Sequence, residues 1–526
     1  MNKSQQRKAG VLLHISSLPD GTLGEQALQF VDFLYESSVS VWQTLPLNMP
    51  HGDGSPYQCL SAHAGNPAFI NLKKLGEHLE KVGIISAAES QLYDEKFVDL
   101  NLALANADSE VSPNLKVISH AEYRQKTFEK AFAALSQHID SSEYVAYQKF
   151  CKKHKSWLKD FALFLVLHKR FGQGSWSNWP EVYKKRDTKT LSLAKKQHAA
   201  EISLIQFIQF VFFEQWSALK QYANSKNIAM FGDIPIFVAY DSADVWADPS
   251  LFKLDKRCNM TVIAGVPPDY FSTTGQRWGN PHYNWSAMKN HGYKWWISRM
   301  ETQNRMFDMV RIDHFRGLQA AWEIPINEAT AMNGTWCEAP GYELLSTIKN
   351  HFTEMCLVAE DLGIITDEVN ALRHHFHLPG MKILQFAFGS GDDNLYLPHN
   401  IEPNSVVYTG THDNDTTLGW YLSLDEHAKH HLHAVLNNHE PAMPATLIDL
   451  AMSTNGDLVV IPMQDILGLD THSRMNTPGT VGGNWLWKFD WQQLTPELKQ
   501  AFTDVVSRHG RANNIQSSNI HSSGIH

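Results

Sequence analysis

The sequence predicts a (β/α)8 barrel, and three observations lead to that fold. Eight short runs of β-branched and apolar residues each end in a polar or Gly/Pro-marked turn, which is typical of buried parallel strands. Amphipathic helical patterns separate several of these runs, and alternating strands and helices imply a parallel sheet with helices outside it. The polar residues gather at the carboxyl ends of the runs, where barrels of this kind place their chemistry.

The eight predicted strands share a short length, an apolar body and a flanking turn. They are Gly10–His14, Val39–Pro46, Ile228–Pro235, Met309–Phe315, Cys356–Gly363, Met381–Phe388, Ser405–Asp413 and Asp457–Asp465. Between the first two lies a predicted helix, Gly24–Ser37, in which Ala27, Phe30, Val31 and Leu34 fall on one face. This apolar face would pack against the outside of the sheet.

Two connections are too long to be single crossovers. Residues 47–226 contain several helical patterns, and residues 236–308 are rich in Gly, Pro and Trp. We expect both to form insertion subdomains over the C-terminal face of the barrel, where they would shape a cleft. Residues 1–511 would then form a single catalytic unit. The Ser/Asn-rich tail, residues 512–526, has no apolar periodicity and is predicted to be disordered.

Composition narrows the function classes. The 526 residues carry a formal net charge of -10 and no run of Lys or Arg, which argues against a nucleic-acid partner. The five cysteines are scattered and show no zinc-ligand spacing, as expected in a reducing compartment. The apolar stretch near the N-terminus, Val11–Leu13, is shorter than the roughly 7–15 residues of a secretory signal. No stretch approaches the ~20 apolar residues of a membrane span, so we predict a cytoplasmic protein without a membrane partner.

The fourth predicted strand carries the sharpest chemical pattern, VRIDHF. Arg311 and Asp313 alternate with apolar residues, so both side chains lie on one face of the strand. A neighbouring guanidinium lowers the pKa of a carboxyl group and keeps it ionised, which is the state that a glycosidic nucleophile needs. The alternative is a buried ion pair with no chemical role.

The fifth predicted strand ends in AEDLG. Glu360 and Asp361 are adjacent, so they point to opposite faces and only one of them can face a site at the barrel mouth. A carboxyl group that donates a proton near neutral pH needs a raised pKa, which partial burial and a second carboxylate provide. We assign this role to Glu360. The alternative is a helix N-cap.

The seventh predicted strand ends in THDND, which places His412 and Asp413 at the same rim. A third carboxylate there could hold the 2- and 3-hydroxyls of a sugar ring as it flattens toward an oxocarbenium ion. His, Asp and Glu are also ligands of divalent metals, so a metal site is the competing interpretation. Two carboxyl groups about 5–5.5 Å apart would indicate a retaining double displacement, and a wider spacing an inverting one.

Longer motifs around these residues resemble one enzyme family. The matching segments are Ser55–Gln58, Phe231–Trp246, Ala264–Pro281, Val310–Gly317, Ala359–Gly363, Leu378–Phe388, Tyr408–Trp420 and Ile461–Thr480. They resemble the amylomaltases, also called 4-α-glucanotransferases or disproportionating enzymes, of the α-amylase clan. The resemblance extends from about Gly10 to Asp490.

The resemblance implies three catalytic residues: Asp313 as nucleophile, Glu360 as general acid/base and Asp413 as stabiliser of the transition state. It implies eleven substrate-binding residues, namely Tyr57, Asp233, Asp269, Tyr270, Phe271, Gln276, Trp278, Asn280, Arg311, His314 and His412. Within this set, Tyr57 would be the aromatic floor of the sugar subsite, and residues 269–271 would lie near the acceptor side. No metal or other cofactor is implied.

The activity implied is transfer of α-1,4-glucan segments to another malto-oligosaccharide or to glucose, through a covalent glycosyl-enzyme. The nearest alternative is a retaining α-glucan hydrolase with the same barrel, because a shared fold does not separate transfer from hydrolysis. A metal-dependent hydrolase with Asp313, Glu360 and His412 as ligands, and a catalytically silent glycogen-binding protein, are further alternatives. Maltose, starch or glycogen breakdown would all fit the predicted chemistry.

Overall fold

The computed structural model describes residues 7–94, 119–172, 174–268, 272–480 and 482–513. These residues form two sheets surrounded by helices. The strands of the described residues, in chain order, are β1 (Lys8–Leu12), β2 (Val41–Gln43), β3 (Ala229–Pro235), β4 (Val262–Val266), β5 (Gln276–Pro281), β6 (Met309–Asp313), β7 (Ala320–Pro325), β8 (Thr335–Glu338), β9 (Cys356–Ala359), β10 (Gly380–Ile383), β11 (Ser405–Tyr408) and β12 (Leu458–Pro462).

The larger sheet is a barrel of eight parallel strands in the order β10, β11, β12, β1, β2, β3, β6 and β9. The first strand of the chain pairs with the last, with Val11 opposite Ile461. At the open end of that order, the N–H of Ala359 in β9 donates to the carbonyl of Pro379, just before β10, over 2.9 Å. This contact closes the ring, and the predicted (β/α)8 barrel is confirmed.

Each of the eight predicted runs overlaps one barrel strand; β1 and β10 begin one or two residues before their runs, and most runs extend past the end of the strand. The run Ser405–Asp413, for example, contains β11, which ends at Tyr408. The residues that follow turn over the barrel mouth instead of continuing in the sheet. The overrun has a physical reason: these turning residues are buried like strand residues, so their apolar and small side chains prolong the pattern.

Side chains of the barrel strands alternate between two buried clusters. Val41, Phe231 and Tyr408 belong to the cluster that fills the interior of the ring, whereas Trp42 belongs to the cluster beneath the surrounding helices. Because strands of a parallel barrel are covered on both faces, their sequences read as continuous apolar runs. The Tyr408 hydroxyl donates to Oε1 of Gln43 at 2.9 Å across the interior.

Helices cover the barrel and fill its long connections. The α-helices of the described residues are Glu25–Glu36, Leu72–Lys81, Ala87–Ser90, His120–Ser136, Ser142–Lys153, Lys155–Arg170, Glu181–Lys184, Thr188–Gln197, Ala199–Ser225, Ala243–Ala247, Trp285–Asn290, Lys294–Met306, Gly341–His351, Asp367–His375, Thr417–Ser423, Glu426–Leu436, Ala445–Ser453, Met463–Ile466 and Pro496–Arg508. The predicted first helix is confirmed, and its Phe30 packs against Trp42 with ring centroids 4.8 Å apart.

Among the described residues, one helix, Ala199–Ser225, is long and apolar enough to cross a membrane by length and composition alone. The core helix of a globular protein meets the same criterion. Here Phe207, Phe212 and Trp216 are buried, and the helix packs against Lys155–Arg170. The Trp216 indole also donates to the carbonyl of Met306. These contacts place the helix, which is the last one before β3, between the barrel and the other helices that follow β2.

The second sheet is antiparallel, with strand order β5, β4, β7 and β8. Two of its strands precede β6 in the chain and two follow it, so this elaboration of the barrel continues beyond residue 308 to Glu338. The sequence patterns did not predict these strands. The sheet matters for the site because β5 carries Gln276, Trp278 and Asn280 at alternating positions, which face the same side of a strand.

The two ends of the described chain meet at the N-terminal end of the barrel. The fully buried Arg511 donates from Nη1 to the carbonyls of Gly456 at 2.9 Å and Lys8 at 3.2 Å. Its other nitrogens donate to the carbonyls of Met452 and Thr454. Residues 514–526, most of the tail that was predicted to be disordered, lie outside the described residues.

Candidate active site

The barrel mouth brings residues from neighbouring strands to one level. Asp233 of β3 lies directly opposite Arg311 of β6 in the strand register, two residues before Asp313. On the other side of β6, Ile312 lies opposite Ala359, the last residue of β9. Glu360 therefore follows β9 at the height at which Asp313 ends β6.

Arg311 lies between two carboxylates. Its Nη1 donates to Oδ2 of Asp233 at 2.7 Å, and its Nη2 lies 2.8 Å from Oδ1 of Asp313. Asp233 is 1% exposed and Arg311 is 4% exposed, so this cation is held in place away from solvent. Arg311 and Asp313 share a face of the strand, as its alternation predicts.

The pKa of Asp313 departs from the sequence-based expectation. Burial raises it from 3.8 to about 8, although Arg311 opposes the rise. Three further carboxylates, Asp233, Glu360 and Asp413, add to the increase. The guanidinium lowers the pKa as expected, but one cation does not offset burial and three like charges. The unliganded site therefore favours binding of a proton. This is compatible with an acid/nucleophile pair, because one of Asp313 and Glu360 must be protonated.

Glu360 is fixed by main-chain donors. Its Oε2 accepts the N–H of His314 at 2.6 Å, and its Oε1 accepts the N–H of Leu362 at 2.9 Å. Burial raises the pKa of Glu360, while Arg311 and the two N–H groups oppose the rise. The adjacent Asp361 turns away and pairs with Arg373 at 3.2 Å. Glu360 is thus the member of the adjacent acidic pair that lies beside Asp313.

An aromatic wall stands next to the carboxylates. The Tyr57 ring stacks on His412 with centroids 5.2 Å apart and planes 13° from parallel, and its hydroxyl donates to Oδ2 of Asp233 at 2.8 Å. His412 lies with Nε2 3.3 Å from Oδ2 of Asp413. Burial lowers the pKa of His412, so the imidazole is neutral near pH 7. Flat apolar faces beside hydrogen-bonding edges suit a pyranose ring.

The second sheet supplies the opposite wall. The Trp278 ring meets His314 edge to face, with centroids 4.8 Å apart. Asn280 accepts a hydrogen bond from Nε2 of Gln58 at 2.9 Å, and the Trp278 indole donates to Gln276 at 3.1 Å. All three predicted residues of β5 therefore join the network around the mouth. The predicted residues Asp269, Tyr270 and Phe271 lie outside the described residues.

Several residues of the mouth were not identified from the sequence. Gln58 joins the N-terminal segment to β5. Asn476 donates from Nδ2 to Oδ1 of Asp413 at 2.6 Å, and Arg474 donates from Nη2 to the carbonyl of the same residue at 2.6 Å. Trp485 lies 5.9 Å from His412, ring to ring. Gln58, Arg474 and Asn476 lie within the motifs that carry the family resemblance. Those motifs were the sequence signal from which these three residues could have been identified.

The carboxylate oxygens of this site are largely occupied by donors. Asp233 accepts from Arg311 and Tyr57, and Glu360 accepts two main-chain N–H groups. Within the ranges that the structure describes, no group of three or more His, Cys, Asp or Glu side chains is arranged to hold a metal ion. The arrangement offers acidic oxygens and flat rings to a neutral polyhydroxyl ligand.

A (β/α)8 barrel with paired carboxyl groups and stacked rings at its C-terminal mouth defines an enzyme of the glycosidase type. The sequence profile of the 4-alpha-glucanotransferase family matches residues 13–494. The chain belongs to the 4-alpha-glucanotransferase family.

Individual relatives span nearly the whole chain. The 4-alpha-glucanotransferase of Thermus thermophilus is 44% identical over 504 residues, covering 93% of this chain and 96% of that protein. The chloroplastic/amyloplastic 4-alpha-glucanotransferase of Solanum tuberosum is 38% identical over 522 residues, covering 97% of this chain and 87% of that protein. The solved structure of the amylomaltase from Streptococcus agalactiae in complex with acarbose superposes with a TM-score of 0.86 at 35% identity, covering 97% of this chain and 100% of that chain.

Proposed function

We propose that this chain transfers α-1,4-glucan segments from a donor malto-oligosaccharide to another glucan or to glucose, with retention of the α configuration. The observation that carries the retaining assignment is the register of β6 and β9. Asp313 and Glu360 occupy neighbouring positions at the ends of adjacent parallel strands. The backbones of adjacent strands lie about 4.8 Å apart, so side chains at these two positions can approach to the ~5–5.5 Å of a retaining carboxyl pair.

The first half of the reaction forms a covalent intermediate. Asp313 attacks the anomeric carbon while Glu360 gives its proton to the departing glucan oxygen, leaving a β-linked glucosyl ester on Asp313. Burial raises the pKa of both carboxyl groups, so the pair retains a proton, and the ion pair of Asp313 with Arg311 supports placing that proton on Glu360. Asp413 holds the ring hydroxyls, and this hold strengthens as positive charge develops on the sugar.

The second half restores the α-1,4 bond. Glu360, now a carboxylate, takes the proton of the acceptor 4-hydroxyl, whose oxygen attacks the anomeric carbon and displaces Asp313. The ester conserves the energy of the broken glycosidic bond, so no activated sugar is required. Transfer prevails over hydrolysis when the acceptor is held at high effective molarity and water is excluded. The walls formed by Tyr57 and Trp278 support that requirement.

Incubation with maltotriose tests this proposal. Transfer yields glucose and longer maltodextrins at a constant number of reducing ends. Asp313→Asn, which keeps the side-chain volume, should lower turnover by several orders of magnitude, whereas Asp392→Asn, at a side chain 97% exposed, should leave it unchanged. An increase in reducing ends that matches the bonds broken would identify a hydrolase. Full turnover by the Asp313→Asn variant would remove that residue from the nucleophile role.

We further propose that residues 1–511 act as one catalytic unit and that the enzyme is cytoplasmic. The five cysteines are all free, which fits a reducing compartment. The potato relative carries a plastid designation, so cell fractionation is the deciding measurement. Activity that sediments with membranes or is found in an exported fraction would contradict the proposed location.

A further inference from the structure

The third carboxylate of the site is held from one segment that lies far along the chain. We call residues Arg474–Thr480, which follow β12 and its short helix, the C-terminal strap. Asn476 of the strap donates from Nδ2 to Oδ1 of Asp413 at 2.6 Å, and its main-chain N–H donates to the carbonyl of His412 at 3.1 Å. The loop that carries Asp413 is therefore fastened both by its backbone and by its carboxylate.

Arg474 links Asp413 to Asn476. Its Nη2 donates to the carbonyl of Asp413 at 2.6 Å, and its Nε donates to the carbonyl of Asn476 at 2.7 Å. The guanidinium is planar and rigid, so two bonds from one such group fix the distance and angle between their acceptors. Both of these contacts go to main-chain oxygens.

Packing around the loop that carries Asp413 is incomplete on one side. A partly open pocket lies there, lined by Thr411 and His412 of the loop, by Arg474 and Met475 of the strap, and by His14 after β1. Close-packed side chains hold a loop in position through many contacts, whereas a loop that borders open space depends on directed bonds. The position of Asp413 therefore depends on hydrogen bonds, which come from the strap and from the turn itself, where the main-chain N–H of Asp413 donates to Oγ1 of Thr411 at 3.3 Å.

We propose that Arg474 is a positioning residue for Asp413. It sets the carboxylate, its Asn476 donor and the His412 ring in one fixed relation, so that Asp413 meets the sugar hydroxyls as the ring flattens. The inference rests on the role proposed for Asp413 in glucan transfer. Because that contact strengthens in the transition state, Arg474 contributes to kcat much more than to KM.

A double-mutant cycle tests the inference. Arg474→Met keeps the aliphatic stem and removes both donors, and Asp413→Asn weakens the group on which Arg474 acts. We expect Arg474→Met to lower kcat with maltotriose about 10–100-fold at nearly constant KM, as misplacement of a reacting group by ~1 Å costs about that much. In the Asp413→Asn background the same change should lower kcat less than about 2-fold, because the correct position of residue 413 matters little once its carboxylate has been replaced.

The controls separate this inference from a structural role and from the proposed function. Lys488→Met, beyond the strap, removes a donor to the carbonyl of Pro19 and should leave kcat unchanged. Arg474→Lys, which can reach only one of the two carbonyls, should give an intermediate loss at an unchanged unfolding temperature, and it replaces Arg474→Met in the cycle if that variant does not fold.

Two outcomes would overturn the inference alone: an equal loss of kcat in both backgrounds, or an increase in KM at constant kcat. Wild-type turnover by the Asp413→Asn variant by itself would instead overturn the role proposed for Asp413.

Discussion

The main-chain N–H of His314 donates to Oε2 of Glu360 over 2.6 Å. The residue that follows the proposed nucleophile thus orients the proposed acid/base from the neighbouring strand. This contact requires an unusual backbone, since His314 has a φ of 53°, in the left-handed region that non-glycine residues seldom occupy. Backbone strain of this kind persists where the surrounding structure fixes it, and it clusters at active sites.

The proton-donor role of Glu360 predicts a dependence on the leaving group. Glu360→Gln should reduce turnover of maltotriose by about 10²–10⁴-fold, which is the usual contribution of general acid catalysis. With an α-glucosyl fluoride donor, the leaving fluoride needs no proton. The rate of fluoride release in the first step should therefore fall much less in the Glu360→Gln variant. Initial rates on both donors measure the difference, with the exposed Glu354→Gln as control. An equal loss on the two donors would assign Glu360 another role.

The raised pKa of Asp313 predicts how stability changes with pH. In the folded protein burial raises this pKa from 3.8 to about 8, so the native state binds the proton more tightly than the unfolded chain. The stability of the wild type should then decrease as pH rises from about 4 to about 8 by this contribution, and Asp313→Asn lacks it. Calorimetry at pH 5 and pH 8.5 should find the variant gaining relative to the wild type at the higher pH. A difference in Tm that does not vary with pH would contradict the prediction.

The Tyr57 hydroxyl and ring should contribute separately. Tyr57→Phe removes the hydrogen bond to the buried Asp233, and a bond to a charged group contributes about 1.5–3 kcal/mol, so kcat/KM should decrease about 10–100-fold. Tyr57→Ala also removes the ring stacked on His412 and should lose considerably more. The half-exposed Tyr342→Phe serves as control. Wild-type kcat/KM in Tyr57→Phe would show that the hydroxyl contributes nothing to the site.

Removal of metal ions should leave the transfer rate unchanged. The oxygens of Asp233 and Glu360 already accept hydrogen bonds from Arg311, Tyr57 and two main-chain N–H groups, so a cation would have to displace them. The measurement is activity after dialysis against EDTA, compared with activity after addition of Mg²⁺ or Zn²⁺. Loss of activity that a divalent ion restores would favour the metal-dependent alternative.

The barrel could be predicted because its pattern is local. Each strand is a short apolar run followed by a turn. The contact of Trp42 in β2 with Phe30 in the first helix shows how such a run packs against the helix next to it. The second sheet could not be predicted in this way. Its β5 contains both Gly279 and Pro281, and β8 has only four residues, so pairing with distant partners decides their conformation.

The same distinction applies to the site. Alternation along β6 is sufficient to place Arg311 beside Asp313. The contacts of Asn476 and Arg474 with Asp413 cross 63 and 61 positions of the chain, and no local pattern encodes a hydrogen bond over that separation. The pKa of Asp313 was not predictable from its own strand either, because it sums contributions from carboxylates on three other segments.

Pairing of the first barrel strand with the last has a consequence for biosynthesis. A nascent chain exposes one edge of β1 on the ribosome until β12 has emerged, and the hydrogen bond from Arg511 to the carbonyl of Lys8 spans 503 positions of the chain. The ring can therefore close only after β12 has left the exit tunnel. Until then that strand edge is open to pairing with neighbouring chains, so the partly synthesised chain is exposed to aggregation.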